Sequence, residues 1–292
     1  MGINSLFFPI KRFICVYFLC NSFVSIGSSP NDGDSSEVTW TGSWQQGGLL
    51  LGQLDRGYRA FYKGFPLQET KTGQILLGLG RDADGMVNVD FLDSSGKKTT
   101  RSWEVKKRKY KVQYIEGVRQ DRVIPPESVS SRIGEEAQQV RNARALRSSS
   151  EAFLRGFDLP LVGPITGVYG SSRIYNGLPR SPHYGIDYAA PLGSDVKAPG
   201  SGVVTLVHDD MYFSGGTLII DHGMGLSSTF LHLSSILVHV GDSVKLGQVI
   251  AAVGATGRAT GPHLDWRMNW RDERIDPQLV LLALPAKKIG LP

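Results

Sequence analysis

Gly202-Val203-Val204-Thr205-Leu206-Val207, Thr217-Leu218-Ile219-Ile220 and Ser228-Thr229-Phe230-Leu231-His232-Leu233 decide how the second half of this chain folds. Each is a short run rich in β-branched and apolar residues. Gly- and Asp-bearing segments separate them: Asp209-Asp210 and Gly215-Gly216 before the second run, Gly223 and Gly225 before the third. Gln248-Val249-Ile250-Ala251-Ala252-Val253 adds a further strand, and no helical pattern of any length arises until Pro277-Gln278-Leu279-Val280-Leu281. Strands at this spacing predict an antiparallel β domain over 159–292.

The residues that carry chemistry sit around those strands. In Gly261-Pro262-His263-Leu264-Asp265-Trp266 a strand would point His263 and Asp265 the same way, about 6.6 Å apart at Cα, with Leu264 on the opposite face. His183-Tyr184-Gly185-Ile186-Asp187 is less direct. Pro182, Gly185 and Pro191 argue against a helix there, and in a straight strand His183 and Asp187 would stand about 13 Å apart. A bend at Gly185 is required if both are to hold one ion. His232 lies inside a strand, where a histidine is more often a satisfied structural residue than a catalyst. All six histidines (183, 208, 222, 232, 239 and 263) fall in the last 110 residues.

Upstream, residues 38–118 read as a small β-sandwich. Gln74–Leu79, Met86–Phe91 and Tyr110–Ile115 are apolar or alternating runs separated by turns at Asp82–Gly85 and Asp93–Lys97. The Asp82-x-Asp84-Gly85 run lacks the later acidic ligands of a calcium loop and reads as a turn. After Pro125-Pro126, residues 119–158 form a connector. Val129, Ile133, Ala137, Val140 and Ala143 or Leu146 recur at the spacing of one helix face, with Gly156 as the stop. Arg132, Arg141, Arg144 and Arg147 set against Glu127, Glu135 and Glu136 read as a solvated helix surface.

At the N-terminus, Lys11-Arg12, the apolar Phe13–Leu19 and the small residues Ser25 and Gly27 predict a signal peptide over 1–27, followed by a polar spacer over 28–37. A membrane anchor fits less well, because the apolar run is short and breaks at Asn21. The expectation is export, with no stable membrane insertion once the leader is cut. Cys15 and Cys20 would leave with it, so thiolate zinc ligation, cysteine nucleophiles and disulfides are excluded from the mature chain.

With 292 residues, 41% hydrophobic and 20% charged, the chain is no disordered polymer. A formal charge of +5 gives no polybasic surface for nucleic acid. Chemistry must come from His, Asp, Glu, Ser or Lys.

The ordered set Ser181-Pro182-His183-Tyr184-Gly185-Ile186-Asp187, Ala198-Pro199-Gly200-Ser201-Gly202, Phe230-Leu231-His232-Leu233-Ser234, Val240-Gly241-Asp242 and Thr256-Gly257-Arg258-Ala259-Thr260-Gly261-Pro262-His263-Leu264 resembles the lysostaphin/LytM-type zinc metallopeptidases over about 160–277. Residues 38–118 look, more loosely, like the β-rich N-domain of exported proteobacterial members. The resemblance implies a mainly β fold whose C-terminal domain is of the lysostaphin-like (duplicated hybrid motif) type. It also implies a periplasmic endopeptidase that cuts peptidoglycan stem-peptide crosslinks with one Zn2+ per chain. The family's His-x-x-x-Asp ligand motif maps onto His183 and Asp187. Its strand histidine and the first His of its His-x-His motif map onto His232 and His263, which flank the metal-bound water as general base and transition-state stabiliser.

The third ligand departs from the family. Asp265 stands where the second His of His-x-His is expected. A carboxylate binds zinc at ~2.0–2.2 Å, much as imidazole does, but one His with two Asp leaves the ion formally neutral where two His with one Asp leave +1. If Asp is a working substitute, Asp265→His should keep or raise activity. The alternative is a non-catalytic LytM-like module that binds the wall or switches on a partner wall hydrolase. His208, His222 and His239 match no catalytic position and read as structural or surface residues. Tyr169, Tyr184, Trp266 and Trp270 read equally as groove or core, and Arg180 and Arg258 as candidate partners of substrate carboxylates.

Overall fold

The computed structural model describes residues 37–287, so the expected leader and residues 28–36 of the spacer lie outside the described residues. The dominant element is an antiparallel sheet. Its strands run, in spatial order, Ser243–Val244, Gly202–Met211, Gly215–Gly223, Leu226–Leu233, His263–Trp270, Gly185–Ala189 and Ile165–Gly167, with Glu273–Ile275 paired to His263–Trp270. The three runs that predicted β structure are its central strands. A smaller sheet of Asp195–Lys197, Val249–Ala252 and Ser235–Ile236 lies beside it.

Period-two alternation sorts each strand into a core face and a working face. In His263–Trp270, Leu264, Trp266, Met268 and Trp270 point to the core, while His263, Asp265, Arg267 and Asn269 share the opposite face. One apolar core extends from Leu49, Leu50, Ile75 and Leu77 of the N-terminal region to Phe230, Leu264 and Trp266 of the large sheet. Gly78 marks the joint, since a Cβ there would come within 2.6 Å of Trp270 Cβ. Burying an aromatic ring removes ~150–250 Å2 from water, an upper bound of about 4–6 kcal/mol per ring at ~25 cal/mol per Å2. Trp266 and Trp270 are therefore core, not groove.

The N-terminal region holds two antiparallel sheets. One is Val38–Gly42, Leu49–Leu54 and Gln74–Gly78; the other is Phe65–Pro66, Arg59–Tyr62, Met86–Leu92 and Lys98–Glu104. The last strand escapes sequence reading because Lys-Thr-Thr-Arg-Ser-Trp-Glu has one apolar residue, Trp103, too few to show an alternating pattern. It is an edge strand held by its full-length pairing with Met86–Leu92. Val112–Ile115 pairs in parallel with Ser172–Tyr175 and so runs beside the C-terminal half.

The connector forms a helix, Ser130–Ala145, that ends short of the expected stop: Gly156 instead closes a separate 3-10 turn, Ala152–Arg155. Val140 and Ala143 pack on Leu206, Met211 and Ile219, and the buried Glu136 accepts the Tyr212 amide at 2.8 Å and Arg132 Nε at 2.7 Å. The reading of its arginines as a solvated surface needs one correction. Arg144 turns inward to donate to Thr229 Oγ1 at 3.1 Å, because the sheet's working face supplies polar acceptors under the helix end. Burial holds its pKa well below the usual guanidinium range. Among the described residues no helix is long and apolar enough to cross a membrane.

Candidate metal centre

Asp187 and Asp265 are direct cross-strand partners in the register of Gly185–Ala189 against His263–Trp270. His183 precedes the strand in irregular backbone, pinned by its amide to Ser171 O (2.8 Å) and by its carbonyl to the Gly170 amide (2.7 Å). The chain therefore bends before Gly185, as the sequence requires for one ion. Donor atoms of His183, Asp187 and Asp265 all lie within 4.8 Å of one another, and all three residues are buried. A tetrahedral ion with bonds of ~2.1 Å would set donors roughly 3.4 Å apart, so a closure of about 1.4 Å at most suffices.

Polar accounting points the same way. His183 Nε2 and Asp187 Oδ1 are 3.1 Å apart yet out of line for a hydrogen bond, and both His183 ring nitrogens lack a hydrogen-bond partner although the side chain is fully buried. Orphaned buried donors and acceptors are costly, and they mark a place where a ligand completes the set. These residues fit a divalent cation. Glycine shapes the site: a Cβ at Gly185 would overlap Asp265 Oδ1 and approach Arg267 Cγ to 2.6 Å, and one at Gly167 would overlap Asp187 Oδ2.

Two arginines, which sequence reading missed, back the carboxylates. Arg267 grips Asp265 with Nε at 3.0 and 3.1 Å and Nη2 at 2.6 Å, and Arg173 Nη2 reaches Asp187 Oδ2 at 2.7 Å. Burial raises both carboxyl pKa values, but Arg267 and then His183 more than offset it at Asp265. At Asp187, His183 and Arg173 offset both burial and the neighbouring Asp265, so both groups end below the ordinary carboxylate range. Arg267 was findable from sequence, two residues past Asp265 on the same strand face. Arg173 comes from a separate strand and carried no such signal.

His232 and His263 stand beside this trio with ring centroids 4.8 Å apart. His232 Nδ1 bonds Thr256 O at 2.8 Å and His263 Nδ1 bonds Gly261 O at 2.8 Å. A carbonyl only accepts, so each Nδ1 carries the proton and each Nε2 presents a lone pair. Burial pushes His232 down to about 4, with Asp265 opposing and His263 assisting, which keeps it neutral at pH 7. Its φ of +65° is a left-handed conformation rare for a residue with a side chain, the kind of local strain that concentrates at functional sites.

Both histidines open on a cleft of about 510 Å3 that Asp187, Arg173, Arg258 and Tyr114 also line. Arg258 lies over Tyr175 and Phe213. Arg180 is spent on Val123 O at 2.7 Å. His222 is a saturated core residue, His208 accepts the Asp210 amide, and His239 is exposed beside Asp242. Tyr169 is buried, its hydroxyl donating to Arg274 O at 2.6 Å, and Tyr184 stacks under Arg274.

Comparison with known proteins places this geometry. Residues 181–277 match the model of peptidase family M23. The peptidoglycan DD-endopeptidase ShyB of Vibrio cholerae is 44% identical over 95 residues, 32% of this chain and 22% of its own length. The DD-carboxypeptidase/endopeptidase Mpg of Neisseria meningitidis is 39% identical over 103 residues, 35% of this chain and 24% of its own. The chain thus spans about a quarter or less of these relatives' lengths. A crystal structure described as an M23 peptidase from Pseudomonas aeruginosa superposes with a TM-score of 0.64 at 29% identity, over 83% of this chain and 96% of that one, so the shared fold extends well outside residues 181–277. The antiparallel sheet, its motif order and these matches together identify residues 181–277 of this chain as a peptidase family M23 domain of the lysostaphin/LytM type.

Proposed function

We propose that the chain is an exported, periplasmic zinc metallo-endopeptidase that hydrolyses the peptide crosslinks of peptidoglycan. The convergence of His183, Asp187 and Asp265 within 4.8 Å, next to two imidazoles with free Nε2 atoms, carries this reading. His183, Asp187 and Asp265 would hold the ion. When bound, zinc acidifies a water and polarises the scissile carbonyl. His232, neutral and fixed through Nδ1, accepts the water's proton at Nε2. His263, at the cleft wall, donates from Nε2 to the developing oxyanion when it carries a second proton. The name of ShyB, a peptidoglycan DD-endopeptidase, supports peptidoglycan as the substrate class, and stem-peptide crosslinks are the part of it an endopeptidase would cut.

The purified chain, metal-loaded, should hold about one zinc and release peptide from purified sacculi. Asp187→Ala and Asp265→Ala should lose the zinc, and His263→Ala should keep it while losing digestion. Zinc-free wild-type protein, or full activity in Asp265→Ala, would overturn the assignment. One observation favours a second reading, a non-catalytic module that binds the wall or activates another hydrolase: the Arg267 fork already satisfies both Asp265 oxygens. That reading predicts sacculus binding without digestion and without stoichiometric zinc.

A further inference from the structure

Asp265 and Arg267 lie two residues apart on one strand face and behave as one unit. Three contacts of 2.6–3.1 Å join them, Asp265 is 1% exposed, and the Arg267 side chain is mostly buried at 23% exposure. We propose that Arg267 is the positioning residue of the third metal ligand, and that the Asp265–Arg267 pair replaces an imidazole by matching its charge. The inference rests on the metal-site reading above. Taken with its arginine, Asp265 is neutral, as an imidazole is. The ion with His183, Asp187 and the pair then totals +1, the charge of a site built from two His and one Asp. Arg173 adds the same charge whichever residue stands at 265. The bidentate fork also fixes the carboxylate plane, and each oxygen keeps a further lone pair for an ion held with His183 and Asp187.

The pair reverses the expectation drawn from sequence for Asp265→His. That change alone strands a mostly buried guanidinium beside the ion, already near Arg144 and Arg274, without the carboxylate that grips it. Zinc affinity of the full chain, measured by chelator competition, should fall at least tenfold in Asp265→His. It should return to within about threefold of wild type in Asp265→His/Arg267→Met, which removes the charge and keeps the volume. Equal affinity in the single and double variants would overturn the proposal. Arg267→Lys provides the folded control: it keeps the charge but loses the fork, so the visible absorption of the Co2+-substituted protein should shift and zinc affinity should drop several-fold. An unchanged Co2+ spectrum with unchanged affinity would also overturn it. Wild-type protein that binds one zinc yet leaves sacculi intact would overturn the hydrolase reading alone; wild-type protein that binds none would overturn both.

Discussion

Two buried histidines of the same sheet system, His222 and His183, have the same exposure and opposite chemistry. His222 Nδ1 donates to Ser201 O and its Nε2 accepts from the Ser228 hydroxyl, both at 2.8 Å, while Phe157 packs edge-on at 4.9 Å. Every polar atom of that imidazole is spoken for. His183 is equally buried, yet neither ring nitrogen has a hydrogen bond, and a carboxylate oxygen stands 3.1 Å away out of line. Burial does not separate structure from function here; polar satisfaction does. His232 and His263 share the Nδ1-to-carbonyl bond of His222, but their Nε2 atoms meet a cleft instead of a serine.

The largest expected effect tests that contrast directly. Removing the imidazole that faces the cleft should cost rate, and removing the saturated one should cost stability. His232→Asn, chosen because Asn tolerates a left-handed φ, should slow sacculus digestion ~10²–10⁴-fold with zinc retained. His222→Ala should lower folding stability by about 2–5 kcal/mol in a denaturant titration while leaving zinc content near wild type. If His222→Ala lost zinc, or His232→Asn kept its rate, satisfaction would be no guide to role.

Much of this was legible before any coordinates, for reasons that can be located in the residues. Strand alternation places Leu264 against the core and His263 and Asp265 on the working face, so the second half of the site follows from periodicity, while Trp266 stayed open between groove and core until its burial was seen. The need for a bend between His183 and Asp187 follows from the distance a straight strand would impose, although the chain turns ahead of Gly185 and not at it. What stayed hidden has physical causes too. Lys98–Glu104 gains its strand conformation from a neighbour, not from its own pattern. Arg144 carries a surface residue's identity but meets acceptors on the sheet beneath it, and Arg173 reaches Asp187 from a strand no motif connects to it. These are tertiary facts, and local sequence does not encode them. Arg267 differs, since reading its strand two residues further would have found it.

The saturated site should also shape the pH dependence of stability. Burial holds His222 down to about 4, below its ordinary 6.5. As pH falls, the unfolded chain therefore binds this proton first. The contribution of His222 is fully present above about 6.5, is lost progressively between 6.5 and 4, and changes no further below 4. At about 1.4 kcal/mol per pH unit its ceiling is roughly 3 kcal/mol. Denaturant titrations of metal-free protein at pH 7 and pH 5 should show this loss, and His222→Gln should show a smaller one. Identical pH slopes in the two proteins would mean that His222 stays solvated or paired in the unfolded ensemble.

The smallest effect separates the two faces of the central strand. Ser228 links them: its hydroxyl donates to His222 Nε2 and accepts from Trp266 Nε1 at 3.3 Å, so a core indole and a buried imidazole depend on one oxygen. Ser228→Ala leaves His222 Nε2 and Trp266 Nε1 without a partner at almost unchanged volume, and should cost about 1–3 kcal/mol. Because Trp266 is the core-side neighbour of Asp265 on the same strand, a loosened indole would have a short route to the metal ligand. The strand's ladder to Leu226–Leu233 holds Asp265 opposite Leu231 through backbone bonds that the serine does not touch. Zinc affinity in Ser228→Ala should therefore stay within about twofold of wild type while the melting temperature falls. A parallel loss of zinc affinity would show that the satisfied and unsatisfied sites share one packing state, and that the contrast between His222 and His183 is one of degree.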